Sequence, residues 1–421
     1  MTDETPGADA GSDRWTGRTF LGGLDFRDTA SLIAVPVIHG LGQSIIFAVL
    51  PAIARDQGIT EMRVALVYML PAVVWTTATI WWGRRCDHQD RKPILLLSVL
   101  GFAVSMLIFG SVAAAAYAGV IGATVLWLLV LVSRLIYSCL SSGALPAVQS
   151  YLVARTEPGR RASAIGGITA AWNLGTLIGP GVVGALTLLG VLAPLFAAAA
   201  MAGVVWVVVR QCLGSQQPAP MPTGTTARLS PLDRRIRVPL LTGLCGSMAQ
   251  ATLLQTLGFF VIDGLAVDTL ESARVVGLSL LMAGVATLFS QLFLVPALQC
   301  PAGGLERRGL AITCSALAAF LICDSVTDVC LATMLAGLGY GLTRPGNVTR
   351  ASLAVAPHEQ GAVAGINGAV WSAGYVLTPL FAMALHAADP HLPFIAGSAV
   401  LALALLLSLH DPGDARLART G

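Results

Sequence analysis

Three side chains in this sequence have types that would do chemistry in an apolar setting: His39, Arg134 and Arg344. His39 lies in Val35-Pro36-Val37-Ile38-His39-Gly40-Leu41-Gly42-Gln43-Ser44, Arg134 in Leu129-Val130-Leu131-Val132-Ser133-Arg134-Leu135-Ile136-Tyr137, and Arg344 in Tyr340-Gly341-Leu342-Thr343-Arg344-Pro345-Gly346-Asn347. An imidazole titrates near neutral pH and can pass a proton. A guanidinium keeps its charge and grips carboxylates with a planar fork of donors. An arginine at mid-bilayer costs about 2.5–3.5 kcal/mol to insert, and such residues as a rule face a bundle interior and mark function. Each has a plainer alternative. His39 could be a neutral ring hydrogen-bonded between helices, and either arginine could reach along its stem to an interface. Gln43, Trp172, Asn173, Gln250, Gln255, Gln291, Asn367, Trp371 and Tyr375 are candidate lining residues, since amides bond polar groups and rings give flat apolar area with a polar edge. For each of them, helix packing is the competing role.

The elements that must position these residues follow from composition. The chain has 421 residues, 55% of them hydrophobic and 11% charged, and its mean hydropathy is +0.77. A soluble domain carries about 25% charged residues, so this is an all-α integral membrane protein. A crossing needs about 20 apolar residues, and twelve stretches qualify. The fourth, 119–153, is longer than a crossing needs and should include some loop; the ninth is expected at 309–323. The organisation reads as a polar tail (1–28), six spans (29–210), a Pro/Gly/Thr-rich flexible linker (211–238), six spans (239–410) and a short tail (411–421).

With both tails in the cytoplasm, the cytoplasmic connections hold Arg84, Arg85, Arg91, Lys92, Arg155, Arg160, Arg161, Arg210, Arg228, Arg234, Arg235, Arg237, Arg307 and Arg308. The outer connections hold only Arg55, Arg63 and Arg274, among acids such as Asp56, Glu61, Asp263 and Asp268. That asymmetry is the one expected of a protein oriented with its basic loops inside. The first 28 residues lack a basic segment followed by an apolar core and cleavage site, so no signal peptide is expected. The eight cysteines are scattered and mostly apolar in setting, without metal-ligand spacing, so neither a disulfide framework nor a metal site is expected. Nothing in the charge pattern points to nucleic acid; the expected partners are the bilayer and a small-molecule substrate, for a monomer.

The two halves are related. Trp172-Asn173-Leu174-Gly175-Thr176-Leu177-Ile178-Gly179-Pro180 matches Trp371-Ser372-Ala373-Gly374-Tyr375-Val376-Leu377-Thr378-Pro379 at an offset of 199 residues. Pro146 with Pro345, Pro158 with Pro357 and Gly166 with Gly365 keep the same register. In a membrane protein an internal repeat of this size implies halves that rock around a central site.

Two motifs carry a resemblance. Gly83-Arg84-Arg85-Cys86-Asp87-His88-Gln89-Asp90-Arg91-Lys92, between the second and third spans, resembles the Gly-x-x-x-Asp-(Arg/Lys)-x-Gly-(Arg/Lys)-(Arg/Lys) loop of the major facilitator superfamily. Gly83, Asp87, Arg91 and Lys92 match, while His88 and Asp90 replace the usual basic residue and second glycine. Such a loop implies a tight turn with charges that latch helix ends and release them as the halves rock. Gly175-x-x-x-Gly179-Pro180-x-x-x-Gly184 resembles the fifth-span motif of that superfamily's antiporters; small residues four apart let helices approach, and Pro180 kinks the span. Arg134 resembles the buried arginine of proton-coupled members, although Tyr137 and Ser138 replace that motif's Gln and Gly. The resemblance implies a twelve-helix carrier in two pseudo-symmetric six-helix halves, driven by a proton gradient without a cofactor.

The 22 acids all fall in tails, connections or span ends. His39 is then the candidate proton carrier in a first span that in many relatives holds an acid. Pro345 and Gly346 are expected to loosen the tenth span and place Arg344 inside the bundle. Two buried cations without a buried acid would suit a substrate bearing anionic groups. The expectation is proton-coupled efflux of a small organic molecule across the inner membrane, either a drug or a carboxylate- or hydroxamate-bearing metabolite such as a siderophore. Alternatives are an organic-anion uptake symporter and a broad multidrug pump. No phosphate-binding Gly-x-x-x-x-Gly-Lys-(Ser/Thr) loop is present for ATP, and no cluster of spans carries the His, Asp, Glu or Cys groups an embedded enzyme needs.

Overall fold

A computed structural model describes residues 26–86, 88–156, 161–215, 229–356 and 359–410. Asp87, the Pro158–Pro357 pair, the middle of the linker and most of both tails lie outside the described residues. Among the described residues fourteen α-helices make twelve crossings. In the first half these are α1 (Phe26–Asp56), α2 (Glu61–Cys86), α3 (Arg91–Tyr117), α4 (Ala123–Ser141) continued by α5 (Ala144–Arg155), α6 (Arg161–Leu186) and α7 (Ala193–Cys212). In the second they are α8 (Arg237–Asp263), α9 (Thr269–Phe289) continued by α10 (Val295–Leu298), α11 (Ala302–Ala319), α12 (Val326–Leu353), α13 (Gln360–Ala388) and α14 (Leu392–Leu409). Lipid cannot satisfy backbone polar groups, so each crossing must close its own hydrogen bonds as a helix. Both ends of the described chain lie on one face, here the terminal face; the other is the distal face.

Two expectations about the spans change and one holds. The fourth stretch does include loop, at 119–122 and at the break between α4 and α5. It is two helices broken at Ser142–Gly143, so Pro146 falls in the first turn of α5, where a proline's missing N–H costs nothing. Its repeat mate Pro345 instead lies inside a continuous α12. Gly346 therefore does not loosen that span; a Cβ there would lie 2.6 Å from the Glu306 backbone nitrogen, so Gly346 lets α11 and α12 touch. The ninth span begins at Ala302 rather than 309, which draws Glu306, Arg307 and Arg308 into the helix. Those charges leave eleven described helices long and apolar enough by composition to cross a membrane, with α11 the exception among the twelve crossings.

Glycines set the spacing of the bundle. A Cβ on Gly175 would lie 2.1 Å from the Val37 carbonyl oxygen, one on Gly179 2.8 Å from that of Leu41, and one on Gly40 2.4 Å from that of Trp172. The backbones of α1 and α6 thus touch along the fifth-span motif, as small residues four apart allow. In the second half Gly374, the mate of Gly175, meets the Ser247 side chain instead, at 2.0 Å from a built Cβ to Oγ. Gly175→Ala is expected to destabilise the purified protein by about 1–3 kcal/mol, because backbone cannot move aside as a side-chain tip can. Gly166→Ala, in the same helix with nothing within 4 Å of a built Cβ, should be neutral or slightly stabilising. Thermal unfolding of both variants checks this; equal midpoints would remove the argument.

The halves meet across α6 and α9. A Cβ on Gly277 would lie 2.8 Å from the Pro180 carbonyl oxygen and 3.3 Å from the Gly184 nitrogen, and one on Gly284 2.5 Å from Leu177. The Gly-Pro segment of α6 therefore has two partners: α1 within its own half and α9 in the other.

Candidate transport site

Arg134 lies near the middle of the fourth crossing and is 5% exposed. Its guanidinium stands 4.3 Å from the Tyr137 ring centroid, and its Nη1 has no hydrogen-bond partner. Among the described residues no carboxylate lies within ion-pair distance of it. Burial excludes the alternative in which it reaches an interface. The Tyr68 hydroxyl of α2 is within electrostatic reach and likewise buried without a partner.

His39 is fully buried beside this group. Its Nδ1 donates to the Val35 carbonyl at 2.8 Å, one turn back along α1; its Nε2 makes no hydrogen bond of ordinary geometry, and the Ser98 backbone lies within reach of the ring. Its ring lies 5.4 Å from Phe102 and stacks at 6.2 Å on Tyr137. Trp75 continues the series, 5.4 Å from Tyr137 and 6.3 Å from Trp172. Aromatic rings thus run from the buried His39 to the half-buried Trp172. Tyr68 and Trp75 were not singled out from sequence, where they look like any two aromatics of an apolar span.

Arg344 differs from the expectation. It is exposed, with its guanidinium 5.4 Å from the Trp371 ring centroid. Tyr375, one turn further along α13, is within electrostatic reach of it. The expected pair of buried cations is therefore one buried and one exposed.

The absence of a buried acid is also corrected. Glu306 is fully buried in α11. Its Oε1 accepts from Thr242 Oγ1 at 2.5 Å and Asn347 Nδ2 at 2.8 Å, and its Oε2 accepts from Arg350 Nη1 at 2.7 Å. Arg350 also donates to Ser408 Oγ at 2.9 Å, joining α14. Trp371 Nε1 donates to Asn347 Oδ1 at 3.4 Å, so this network reaches the residue that Arg344 covers. The sequence hid it by making Glu306-Arg307-Arg308 look like a loop.

The remaining candidates separate. Gln255 and Asn367 are buried, each with an unpartnered side-chain oxygen. Gln43, Asn173, Gln250 and Gln291 are half-buried. Of the loop latch, Gly83 sits in open space at the end of α2, while Arg91 is buried and donates to Ser150 Oγ of α5 at 3.1 Å. Asp90 caps the Lys92 backbone at 3.0 Å and accepts from Ser215 beyond α7. These described bonds stay within the first half, so rocking alone does not break them. At the linker's end Arg235 bonds both Asp233 and Glu359 at 2.9 Å, fixing it to the start of α13. The same guanidinium holds the Asp233 carboxyl below its ordinary range.

Every hydrogen bond between halves among the described residues lies at the distal face. Arg55 of α1 pairs with Asp263 of α8 and, at 2.6 Å, with Glu61 of its own half. His386 of α13 donates through Nε2 to the same Asp263 oxygen at 2.8 Å. Arg274 Nη2 reaches the Thr187 carbonyl at 3.4 Å, and a Cβ on Gly258 would lie 2.6 Å from the Pro51 side chain. The distal side is shut in this state.

Comparison with known proteins agrees with this architecture. The family model described as Major Facilitator Superfamily matches residues 32–299. The chain is 24% identical to multidrug resistance protein 2 of Bacillus subtilis (strain 168) over 389 residues, covering 88% of this chain and 91% of that one. It is 27% identical to the class G tetracycline resistance protein of Vibrio anguillarum over 381 residues, covering 86% and 91%. Among solved structures, a bacterial homolog of the human lysosomal transporter Spinster, in an inward-facing and occupied conformation, superposes with a TM-score of 0.70 at 14% identity, covering 90% and 95%.

Proposed function

The chain belongs to the major facilitator superfamily, and on that premise we propose that it is a proton-coupled exporter of a small organic molecule bearing an acidic group. The observation that carries the acidic group is Arg134: a mid-span guanidinium, 5% exposed, with a free Nη1 and no carboxylate beside it among the described residues. A ligand carboxylate supplies the missing charge and fits the planar donor fork. The ring series from His39 to Trp172 supplies flat apolar contact for the rest of the molecule. Arg344, exposed against Trp371, gives an anionic substrate a first landing point in the second half.

Export is supported by the names of the relatives, which are resistance proteins for several drugs and for tetracycline. In this reading the terminal face is cytoplasmic in an inner membrane, in keeping with its basic connections. Closed distal contacts then make this state the one that loads from the cytoplasm. His39 carries the coupled proton: it is the one His, Asp or Glu of the described residues in the middle of a crossing, and its unpartnered Nε2 is the nitrogen available to take a proton.

The test is ligand-induced thermal stabilisation of the purified protein with size-matched aromatic acids, neutral analogues and cations. A ligand at one hundred times its Kd stabilises by about 2.7 kcal/mol. Acids should raise the midpoint and matched cations should not. Stabilisation by cations alone overturns the assignment and favours a general multidrug pump. Substrate-driven proton movement in proteoliposomes tests the coupling separately.

A further inference from the structure

The Arg55–Asp263 contact is the sole ion pair between the halves among the described residues, and it has a titratable member buried against it. His386 is 3% exposed. Its Nε2 donates to Asp263, and its Nδ1 is buried with no partner. Phe259 walls the cluster, 5.7 Å from the His386 ring and 5.1 Å from the Arg55 guanidinium.

Charge counting shows what that imidazole controls. In the first half Arg55 is already balanced by Glu61. With His386 neutral, Asp263 of the second half carries an uncompensated negative charge that faces Arg55 across the interface. Protonating His386 balances Asp263 within its own half. Each half is then neutral by itself, and the attraction between them is weakened. Two further effects have the same sign. A protonated ring in the shut state buries an Nδ1–H without an acceptor, which is unfavourable. It also stands beside the Arg55 cation, a repulsion relieved once the halves part, whereas the His386–Asp263 contact survives opening because both belong to one half.

The other charges around α13 do not substitute for this one. Asp389, ahead of α14, pairs with His391 at 3.2 Å and is also within electrostatic reach of His386, where it favours the protonated ring but belongs to the same half. Asp328 of α12 is held by its own cap through Ser325. Arg63 of α2 turns to Thr124 and Trp127.

We propose that His386 is an acid-operated release for the distal gate: its protonation moves Asp263 from pairing across the halves to pairing within one half, and the distal side opens. This is a site distinct from the transport site and from the proton carrier assigned there. It holds whatever the substrate is, because it concerns only the gate.

Hydrogen–deuterium exchange of the intact protein in lipid nanodiscs at pH 8 and pH 5.5, corrected for intrinsic rates, reads the gate without any transport. The ordinary imidazole range lies between these values. Protection at the distal ends of α1 and α8 is expected to fall about tenfold or more on acidification, the factor that corresponds to one unit of proton linkage. In His386→Gln, which keeps a donor to Asp263 but cannot be charged, protection should stay high at both pH values. In Asp263→Asn it should be low at both. A wild type without the pH step, or a His386→Gln protein that retains it, overturns the proposal. Should His386→Gln fail to fold, an Asp263→Asn protein that keeps the wild-type step overturns it equally. A pH step in exchange combined with no proton movement during transport would leave this gate standing and reject the coupling in the proposed function.

Discussion

Arg134→Gln is expected to weaken uptake of acidic substrate into inverted vesicles about ten- to one-hundred-fold at low substrate while making the protein more stable. The two effects have one cause. Arg134 is buried with a free Nη1 and, among the described residues, no carboxylate partner. An unpaired arginine at mid-span costs about 2.5–3.5 kcal/mol to keep there, and glutamine removes most of that. The same substitution deletes a charge-assisted bond to the substrate, worth about 1.5–3 kcal/mol, so affinity should drop about ten- to one-hundred-fold. Arg134→Lys should recover charge but not the planar fork, and so regain affinity only in part. Substrate titrations and thermal unfolding of the same preparations check both signs together. A protein destabilised by Arg134→Gln would mean that the guanidinium is structural, and the acidic-substrate reading would fall with it.

Glu306→Ala should do the reverse, lowering stability sharply without entering the substrate site. Glu306 accepts from Arg350, Asn347 and Thr242 in a fully buried setting. Removing one partner of a buried ion pair costs about 3–5 kcal/mol, because the remaining charge and donors stay desolvated. Glu306→Gln keeps the size and one acceptor and should fall between. Thermal unfolding in detergent, read from intrinsic tryptophan fluorescence, gives the order wild type, Gln, Ala. A Glu306→Ala midpoint within a degree or two of wild type would show that water reaches the cluster.

These two residues also mark where sequence was readable. The two-half architecture and the α1–α6 contact follow from the repeat and from Gly175, Gly179 and Pro180, because close packing and helix breaking depend on residue type alone. Arg134 was legible for a similar reason: a charge inside an apolar run has few places to go. Glu306 was not, since Glu306-Arg307-Arg308 has the composition of a loop and only burial against α8, α12 and α14 turns it into a core group. Arg344 erred the other way. A cation within an apolar run reads as buried, yet Arg344 is exposed. The distal gate was invisible because Arg55 and Asp263 are 208 positions apart and each alone looks like an ordinary span end. Tyr68 and Trp75 give no local signal at all; only the fold brings them beside Arg134 and Tyr137.

Because no carboxylate among the described residues neutralises Arg134, the membrane voltage acts on it directly in the proposed cycle. Rocking the halves moves this charge between water that is electrically continuous with one side and water continuous with the other. A full elementary charge crossing 100 mV changes the energy by about 2.3 kcal/mol. In the proposed cycle the empty carrier bears that charge and the carrier loaded with a monovalent acid does not. An inside-negative potential therefore pulls the empty form back to face the cytoplasm and leaves the loaded form indifferent. The missing acid beside Arg134 thus makes the return step voltage-sensitive, and the turnover of this carrier should rise with membrane potential at fixed pH.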